Sequence, residues 1–284
     1  MATLPPERAP IPGHAAHHAR QIAESFGSNP DRYDRARPGY PQTLVDRIIA
    51  ASPGLDVLDV GMGTGIVARL FRAAGCQLLG VEVDPRMAES ARRSGLEVEV
   101  AKFEDWDPSG RGFDAVVAGQ TWHWIDPVAG AAKAADALRP GGRLAVFWNA
   151  DQPRADLAEA FGEVYRRVTP DSLVARRWTV VSAVDGYSTT AVDGYSALGA
   201  QAVEGMRVVG AFDDPEQWRF GWERSYGREE WLDQVPTTGD HSLLPPWQLE
   251  ELLAGIGSAI DAVGGSFTMR YSVLVATAAR TDIA

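Results

Sequence analysis

The chain has 284 residues, long enough to bury a substantial core as one domain with an insertion. Its 27 Lys and Arg against 38 Asp and Glu leave a net charge of −11, which argues against a nucleic-acid backbone as partner. A single cysteine, Cys76, rules out an internal disulfide, and no run is long and apolar enough to span a bilayer.

The first residues carry Pro5, Pro6, Pro10, Pro12 and Gly13 and read as a loose tail, with helical spacing from His14 to Phe26. They contain no apolar h-region, so a cytoplasmic location is expected. His14, His17 and His18 share a helical face but lack an acid or cysteine beside them, and no metal site is expected. A helix over 43–51 leads into Asp56-Val57-Leu58-Asp59-Val60, which has the apolar look of a buried parallel strand. Gly61, Gly63 and Gly65 follow at alternate positions before helical spacing resumes at Ile66 to Arg72. Glycines at a strand-to-helix turn open conformations closed to other residues and let a ligand touch the main chain. Alone, they fit equally well a turn that needs glycine only for its geometry.

Gln77 to Glu82 is a second apolar strand. Its final acid comes about twenty residues after the first glycine, where a βαβ unit sets a carboxylate against ribose hydroxyls. Two cofactor classes share this geometry. Dinucleotide sites favour G-x-G-x-x-G, whose third glycine lets the helix pack close with the pyrophosphate at its N-terminus. Here Ile66 stands where that pattern wants a small residue, and Asp59 would repel a pyrophosphate. A nucleoside bearing an amino acid, with an ammonium group and no phosphate, fits better; S-adenosylmethionine is such a molecule.

A helix over 87–93 and strands over 98–102, 115–119 and 143–148 continue the alternation. A helix over 126–138, closed by Pro140-Gly141-Gly142, joins the last two strands. This pattern predicts an α/β protein, a parallel sheet with helices on both faces and ligands at the strands' carboxyl ends. From about 150 to 210 the alternation stops. An amphipathic helix over 154–168 is followed by a direct repeat, Ala183-Val184-Asp185-Gly186-Tyr187-Ser188 and Ala191-Val192-Asp193-Gly194-Tyr195-Ser196. Two copies are too few for a solenoid, and each Asp-Gly signals a turn, so paired turns or a duplicated loop are expected. A strand over 217–223, a helix over 246–263 and a strand over 266–278 close the chain.

Several motifs stand in the order and spacing of one family. They are Asp59 to Gly65, Gly80-Val81-Glu82, Phe103-Glu104-Asp105, Phe113 to Val117, Gln120-Thr121-Trp122-His123-Trp124 and Leu138 to Leu144. On these the chain resembles the class I S-adenosylmethionine-dependent methyltransferases, and most of all the small-molecule branch that includes the trans-aconitate-type enzymes. Phe26-Gly27 and Tyr33 through Pro41 look like the leading segment of that branch. The resemblance implies a Rossmann-like, doubly wound, mostly parallel seven-stranded sheet with an antiparallel last strand and a helical cap insertion. It divides the chain into a tail and helix (1–25), a cofactor-binding core (26–149), a cap or substrate insertion (150–210) and C-terminal elements completing the core (211–284).

Cofactor roles follow from that likeness. Asp59 would orient the methionine ammonium, and the backbone at Gly61, Gly63 and Gly65 would lie against methionine and ribose. Glu82 would accept from the ribose hydroxyls. Val83 would cover one adenine face, with Phe103 and Glu104 at the other, although Lys102-Phe103 departs from the small residue and acid of many relatives. Gln120 would lie close to the sulfonium, and Tyr33 and Arg37, with Tyr40, belong to a segment that folds over the cofactor. Methyl transfer is an in-line displacement that mostly demands positioning, with a base needed only if the nucleophile arrives protonated. His123 is the candidate base or acceptor-binding group; the other reading is packing between two indoles. His241, Arg35, Arg176 and Arg177 are weaker candidates. Trp106, Trp122, Trp124, Trp148, Trp178 and Trp218 line an apolar pocket or fill a core. The expected protein methylates a small organic acceptor at oxygen, carboxylate or hydroxyl, without a nucleic-acid or membrane partner. The alternatives are a nicotinamide-dependent oxidoreductase and a non-catalytic module that keeps the cofactor fold.

Overall fold

The computed structural model describes residues 26–172, 174, 175 and 182–281. Apolar runs that need cover on both faces become the centre of a seven-stranded sheet. β1 (Asp56–Val60) pairs in parallel with β2 (Gln77–Glu82) and β4 (Phe113–Gly119). β3 (Val98–Val100) flanks β2, and β5 (Leu138–Gln152) flanks β4. Beyond β5 lies β9 (Ser266–Ala279), antiparallel to it and to the edge strand β8 (Glu216–Gly227), giving the order β3-β2-β1-β4-β5-β9-β8. The mostly parallel doubly wound sheet and the antiparallel last strand are as the family resemblance implied.

One face carries α2 (Gln42–Ala50) and α3 (Ile66–Ala73), whose Leu44, Ile48, Val67 and Phe71 pack on Val57, Val117 and Phe147. The other carries α5 (Pro127–Ala137) and α7 (Thr190–Val209). These two helices approach closely, because a Cβ on Gly205 would lie 2.3 Å from the Pro127 carbonyl oxygen. Asp126 caps α5 from the amides of Val128 and Ala129, and Asp84 caps α4 (Pro85–Arg93), which therefore starts two residues earlier than its apolar spacing indicates.

β5 departs from expectation. It begins directly after α5, with Leu138 paired to Phe113, and Pro140 to Gly142 form an irregularity inside the strand rather than a loop before it. It also continues to Gln152, because β9 offers partners along the whole stretch from Arg143. β5, β8 and β9 thus extend beyond the parallel rim, where Tyr226, Met269 and Tyr271 form a second hydrophobic cluster. α6 (Ala155–Val168), α8 (Arg228–Gln234) and α9 (Pro246–Ala262) cover it with Phe161, Tyr165, Trp231, Leu252 and Ile256. α1 (Pro30–Ala36) is tied to α8 by Arg32 and Arg35, both bonded to Asp233.

The direct repeat splits into two structures, correcting the expectation of paired turns. Its first copy is a hairpin, β6 (Ala183–Val184) and β7 (Tyr187–Ser188). Asp185 and Gly186 turn it with φ of 52° and 79°, the left-handed pair of a type I′ turn. The second copy is the start of α7, where Ala191 and Val192 join Gly199, Ala202, Val203 and Met206 in one buried stripe. The apolar spacing downstream, absent after the first copy, overrides the Asp-Gly turn preference.

Among the described residues no helix is long and apolar enough to cross a membrane. The expectations for residues 1–25, including His14, His17 and His18, and for Arg176, Arg177 and Trp178 fall outside the described residues.

Candidate active site

The turn between β1 and α3 is left-handed at each of its three glycines, with φ of 65°, 59° and 90° at Gly61, Gly63 and Gly65. Their surroundings differ. A Cβ on Gly61 would strike Thr121, and one on Gly65 would lie 2.2 Å from Leu96 Cδ1. At Gly63 the nearest atom would be Met87 Cε at 3.6 Å, so the space there is open to a ligand approaching the backbone. Met62, between them, packs against Gly80 of β2, where a Cβ would lie 2.4 Å from its Cε.

Asp59 is 1% exposed, and its Oδ2 has no hydrogen-bond partner. Desolvation, with the Glu82 carboxyl adding to it, pushes its pKa up to about 8 against the opposing Ala68 amide. Glu82, at the end of β2, accepts from Gly63 N at 2.7 Å and Asp84 N at 2.9 Å, one bond to each oxygen. Each oxygen keeps a further lone pair for a hydroxyl. Burial raises the Glu82 pKa despite these amides.

Val83 is half exposed beside Glu82. After β3 the Phe103 ring is 4% exposed, packed against Trp106 and Trp122 in the main core. The ring is therefore a floor, and only its backbone and Glu104 remain to meet a ligand edge. Glu104 accepts from Asp126 N at 3.3 Å, which turns it toward the start of α5.

Gln120 directly follows β4 with φ of 56°, a conformation that costs a non-glycine residue on the order of 1–2 kcal/mol. Its Nε2 bonds the Asn149 carbonyl at 3.3 Å, while its Oε1 is buried without a partner. His123 follows in a short 3₁₀ turn and is exposed, its ring tilted 44° to that of Trp124 with centroids 4.7 Å apart. Its Nδ1 accepts from the Trp148 indole N–H at 3.2 Å. Desolvation pushes its pKa down to about 4. The Trp148 N–H needs a bare Nδ1, which the neutral ring supplies.

The N-terminal segment covers this rim. Asp34 on α1 pairs with Arg69 on α3 at 2.6 Å, tying the segment beside the glycine turn. Tyr40 packs edge-on against Phe147, and its hydroxyl lies near Gly119 at the end of β4. Arg37 lies over the Tyr33 ring and donates to the Thr238 hydroxyl at 3.1 Å. It stands within electrostatic reach of Tyr33, Tyr195, Tyr40 and Tyr271.

Other candidates fall elsewhere. His241 is fully buried in the second cluster against Tyr165, its Nδ1 bonded to the Val235 carbonyl at 2.6 Å, and does not face the rim. Arg35 is engaged by Asp233. Trp106 and Trp122 are core residues, and Trp218 packs under Arg47 and Arg143. Sequence reasoning passed over Asn149, which binds the Gly39 carbonyl and the Trp222 indole, and Tyr195 on α7. The switch from apolar to polar at Trp148-Asn149 marks where β5 passes the rim of the parallel strands and could have pointed to the first.

The methyltransferase-domain family matches residues 33–179, just over half of the chain. An uncharacterized methyltransferase of Mycobacterium tuberculosis is 34% identical over 151 residues, 52% of this chain and 61% of that protein. A demethylmenaquinone methyltransferase of Tropheryma whipplei is 26% identical over 165 residues, 54% of this chain and 69% of that one. In fold, a provisionally assigned type II methyltransferase from Anaeromyxobacter dehalogenans aligns with a TM-score of 0.58 at 21% identity, covering 86% of this chain and 97% of its own. The shared region thus spans about three fifths of the mycobacterial relative. The family match runs through the glycine turn and the strand ends that surround it, and the chain belongs to the class I S-adenosylmethionine-dependent methyltransferases.

Proposed function

We propose that the protein transfers a methyl group from S-adenosylmethionine to a small organic acceptor, at oxygen. The observation that carries the cofactor assignment is Asp59: a fully buried carboxyl with an unpartnered oxygen, beside a glycine whose Cβ position is empty. Burying such a group without a partner is costly, and an ammonium would satisfy it. When bound, S-adenosylmethionine supplies a methyl group activated on a sulfonium. Asp59 takes the ammonium, Glu82 the ribose hydroxyls, and the Gly61–Gly65 backbone lies along the ligand. Val83 and the Phe103–Glu104 backbone flank the adenine. Gln120, strained into position with an unpaired Oε1, holds the sulfonium side, and Tyr33 and Arg37 close the site from α1.

The acceptor is read from this chain's own residues. Relatives bear names as different as demethylmenaquinone and ribosomal protein L11 methyltransferase, and the family match ends at 179, before α7 and β8. The segment over 150–210 supplies Tyr195 to the acceptor side, stacked near the buried Trp148 that holds His123. An exposed imidazole edge between indoles suits a small organic anion or hydroxyl compound better than a polymer.

Calorimetry with S-adenosylhomocysteine and with NADH tests the cofactor. Binding of the first, weakened at least tenfold by Glu82→Ala, is expected from the loss of charge-assisted hydrogen bonds worth about 1.5–3 kcal/mol. Tight NADH binding without S-adenosylhomocysteine binding would return the nicotinamide reading.

A further inference from the structure

The surroundings of His123 fix what its ring can do. An indole nitrogen can only donate, so the 3.2 Å bond from Trp148 requires the lone pair of His123 to sit on Nδ1. The neutral ring then carries its proton on Nε2. Trp148 is 1% exposed within the main core and is not free to swing away. The open edge of the imidazole therefore presents a donor, and its one lone pair is already used. A general base needs the opposite arrangement. Trp124 and Trp148 both adjoin the ring, and among the described residues no charged side chain pairs with it.

A second donor belongs to the same region. Among the described residues Arg37 has no carboxylate partner; its guanidinium holds a threonine hydroxyl and lies over a tyrosine ring. The two groups come to the same rim: Asn149, next to Trp148, donates to the carbonyl of Gly39, two residues beyond Arg37, at 3.0 Å, and the Tyr195 ring stacks near Trp148 at 6.5 Å.

We propose that Trp148 is a positioning residue that holds His123 as an Nε2–H donor, and that His123 and Arg37 together take an acceptor whose oxygen arrives ionised, a carboxylate; this rests on the methyltransferase reading above. In the transfer a carboxylate oxygen attacks the methyl carbon, the O–C bond forms as the C–S bond breaks, and the electron pair stays on sulfur. The products are a methyl ester and a neutral thioether. No proton has to leave, so a site without a free lone pair suffices. A hydroxyl acceptor would need its proton removed, and Trp148 occupies the atom that could take it.

Nitrogen-15 NMR of the full chain labelled at its five histidines reads the tautomer directly; the His123→Gln spectrum identifies the signal by its loss. The expected result is a protonated Nε2 and a bare Nδ1, unchanged from about pH 5.5 to 8. In Trp148→Phe the ring should titrate closer to the ordinary histidine value of about 6.5. A proton on Nδ1 in the wild type overturns the proposal, and that measurement needs no variant to fold. Kinetics on a panel of carboxylic acids, phenols and alcohols gives the second arm. Turnover confined to carboxylic acids is expected, with kcat flat across the same pH range. His123→Gln, which keeps a donor, should retain at least tenfold more kcat/KM than His123→Ala. Turnover of an alcohol that rises with pH overturns it. Arg37→Gln should raise the acceptor KM tenfold or more, and by a larger factor than it weakens S-adenosylhomocysteine binding; the reverse order would assign Arg37 to the cofactor's own carboxylate and remove it from the acceptor site. Failure to bind S-adenosylhomocysteine at all would instead strike the methyltransferase reading and leave the tautomer result standing.

Discussion

Asp59 shows at the scale of one residue how a site and a stability cost coincide. Its folded pKa of about 8 lies above the ordinary carboxyl value of about 3.9. Between those values the folded chain holds a proton that the unfolded chain has lost, so stability falls as pH rises through this window and the full cost is present above pH 8. Asp59→Asn removes the titration and should stabilise the ligand-free protein at pH 8 by a few kcal/mol (at ~1.4 per unit of displacement), with little change near pH 4. Denaturant melts across that range check it, and equal stability of both proteins at pH 8 would refute it. Ligand binding should run the other way. An ammonium favours the ionised carboxyl, so S-adenosylhomocysteine should bind more weakly as pH falls below about 8 and should release a proton on binding; Asp59→Asn should bind weakly at every pH. The glycines offer a parallel contrast. Gly63→Ala meets only open space, so it should cost about 1–2 kcal/mol of backbone strain but a tenfold or greater loss of cofactor affinity. Gly65→Ala drives a Cβ into Leu96 and should lose more stability than affinity. Affinities ranked in the opposite order would move the ligand off Gly63.

At the scale of elements, the duplicated hexapeptide is a controlled comparison of one sequence in two settings. Gly186 sits at φ 79° in the hairpin turn, whereas Gly194 lies on the solvent side of α7 with nothing near its Cβ position. Gly186→Ala should therefore destabilise by about 1–2 kcal/mol, and Gly194→Ala should stabilise by about 0.5–1 kcal/mol. Chemical denaturation of the two variants decides it; effects of the same sign would mean that both copies share one conformation. The repeat also marks where sequence stops being informative. β1, β2 and β4 were legible because runs buried on both faces must be apolar throughout, and the glycines, Asp59 and Glu82 were legible because a ligand at a strand end constrains residue type at fixed spacing. The length of β5 was not, since Ala150 to Gln152 are held in place by Tyr271, Arg270 and Ser272, far along the chain. The role of Trp148 was hidden for the same reason: its hydrogen bond to His123 joins the interior of β5 to the turn after β4. The misplacement of His241 has another origin, for a polar loop with Asp-His looks exposed until Tyr165 and Val235 close over it.

At the scale of the molecule, β9 is what makes the two halves one body. Its first turns of sequence, Met269 and Tyr271, belong to the cluster under α6, α8 and α9. Its middle residues Val273 and Val275 pack toward α2 and α3, and Ala276 and Ala278 toward α5 and α7. No cluster can lose its packing without loosening a strand that the other two share. Unfolding should therefore be a single cooperative transition, seen alike by far-UV circular dichroism and by tryptophan fluorescence, to which Trp231 of the distal cluster contributes. S-adenosylhomocysteine, bound at the parallel rim, should raise that whole transition: about 2.7 kcal/mol at a hundredfold excess over Kd, or roughly 5 °C for a chain of this size. Ile256→Ala, in α9 and well outside the proposed cofactor site, should lower the same transition by about 2–5 kcal/mol without separating the two signals. Two steps in the melt, only one of them moved by S-adenosylhomocysteine, would show that the cluster over the extended strands is an independent unit and that β9 does not couple it to the rim.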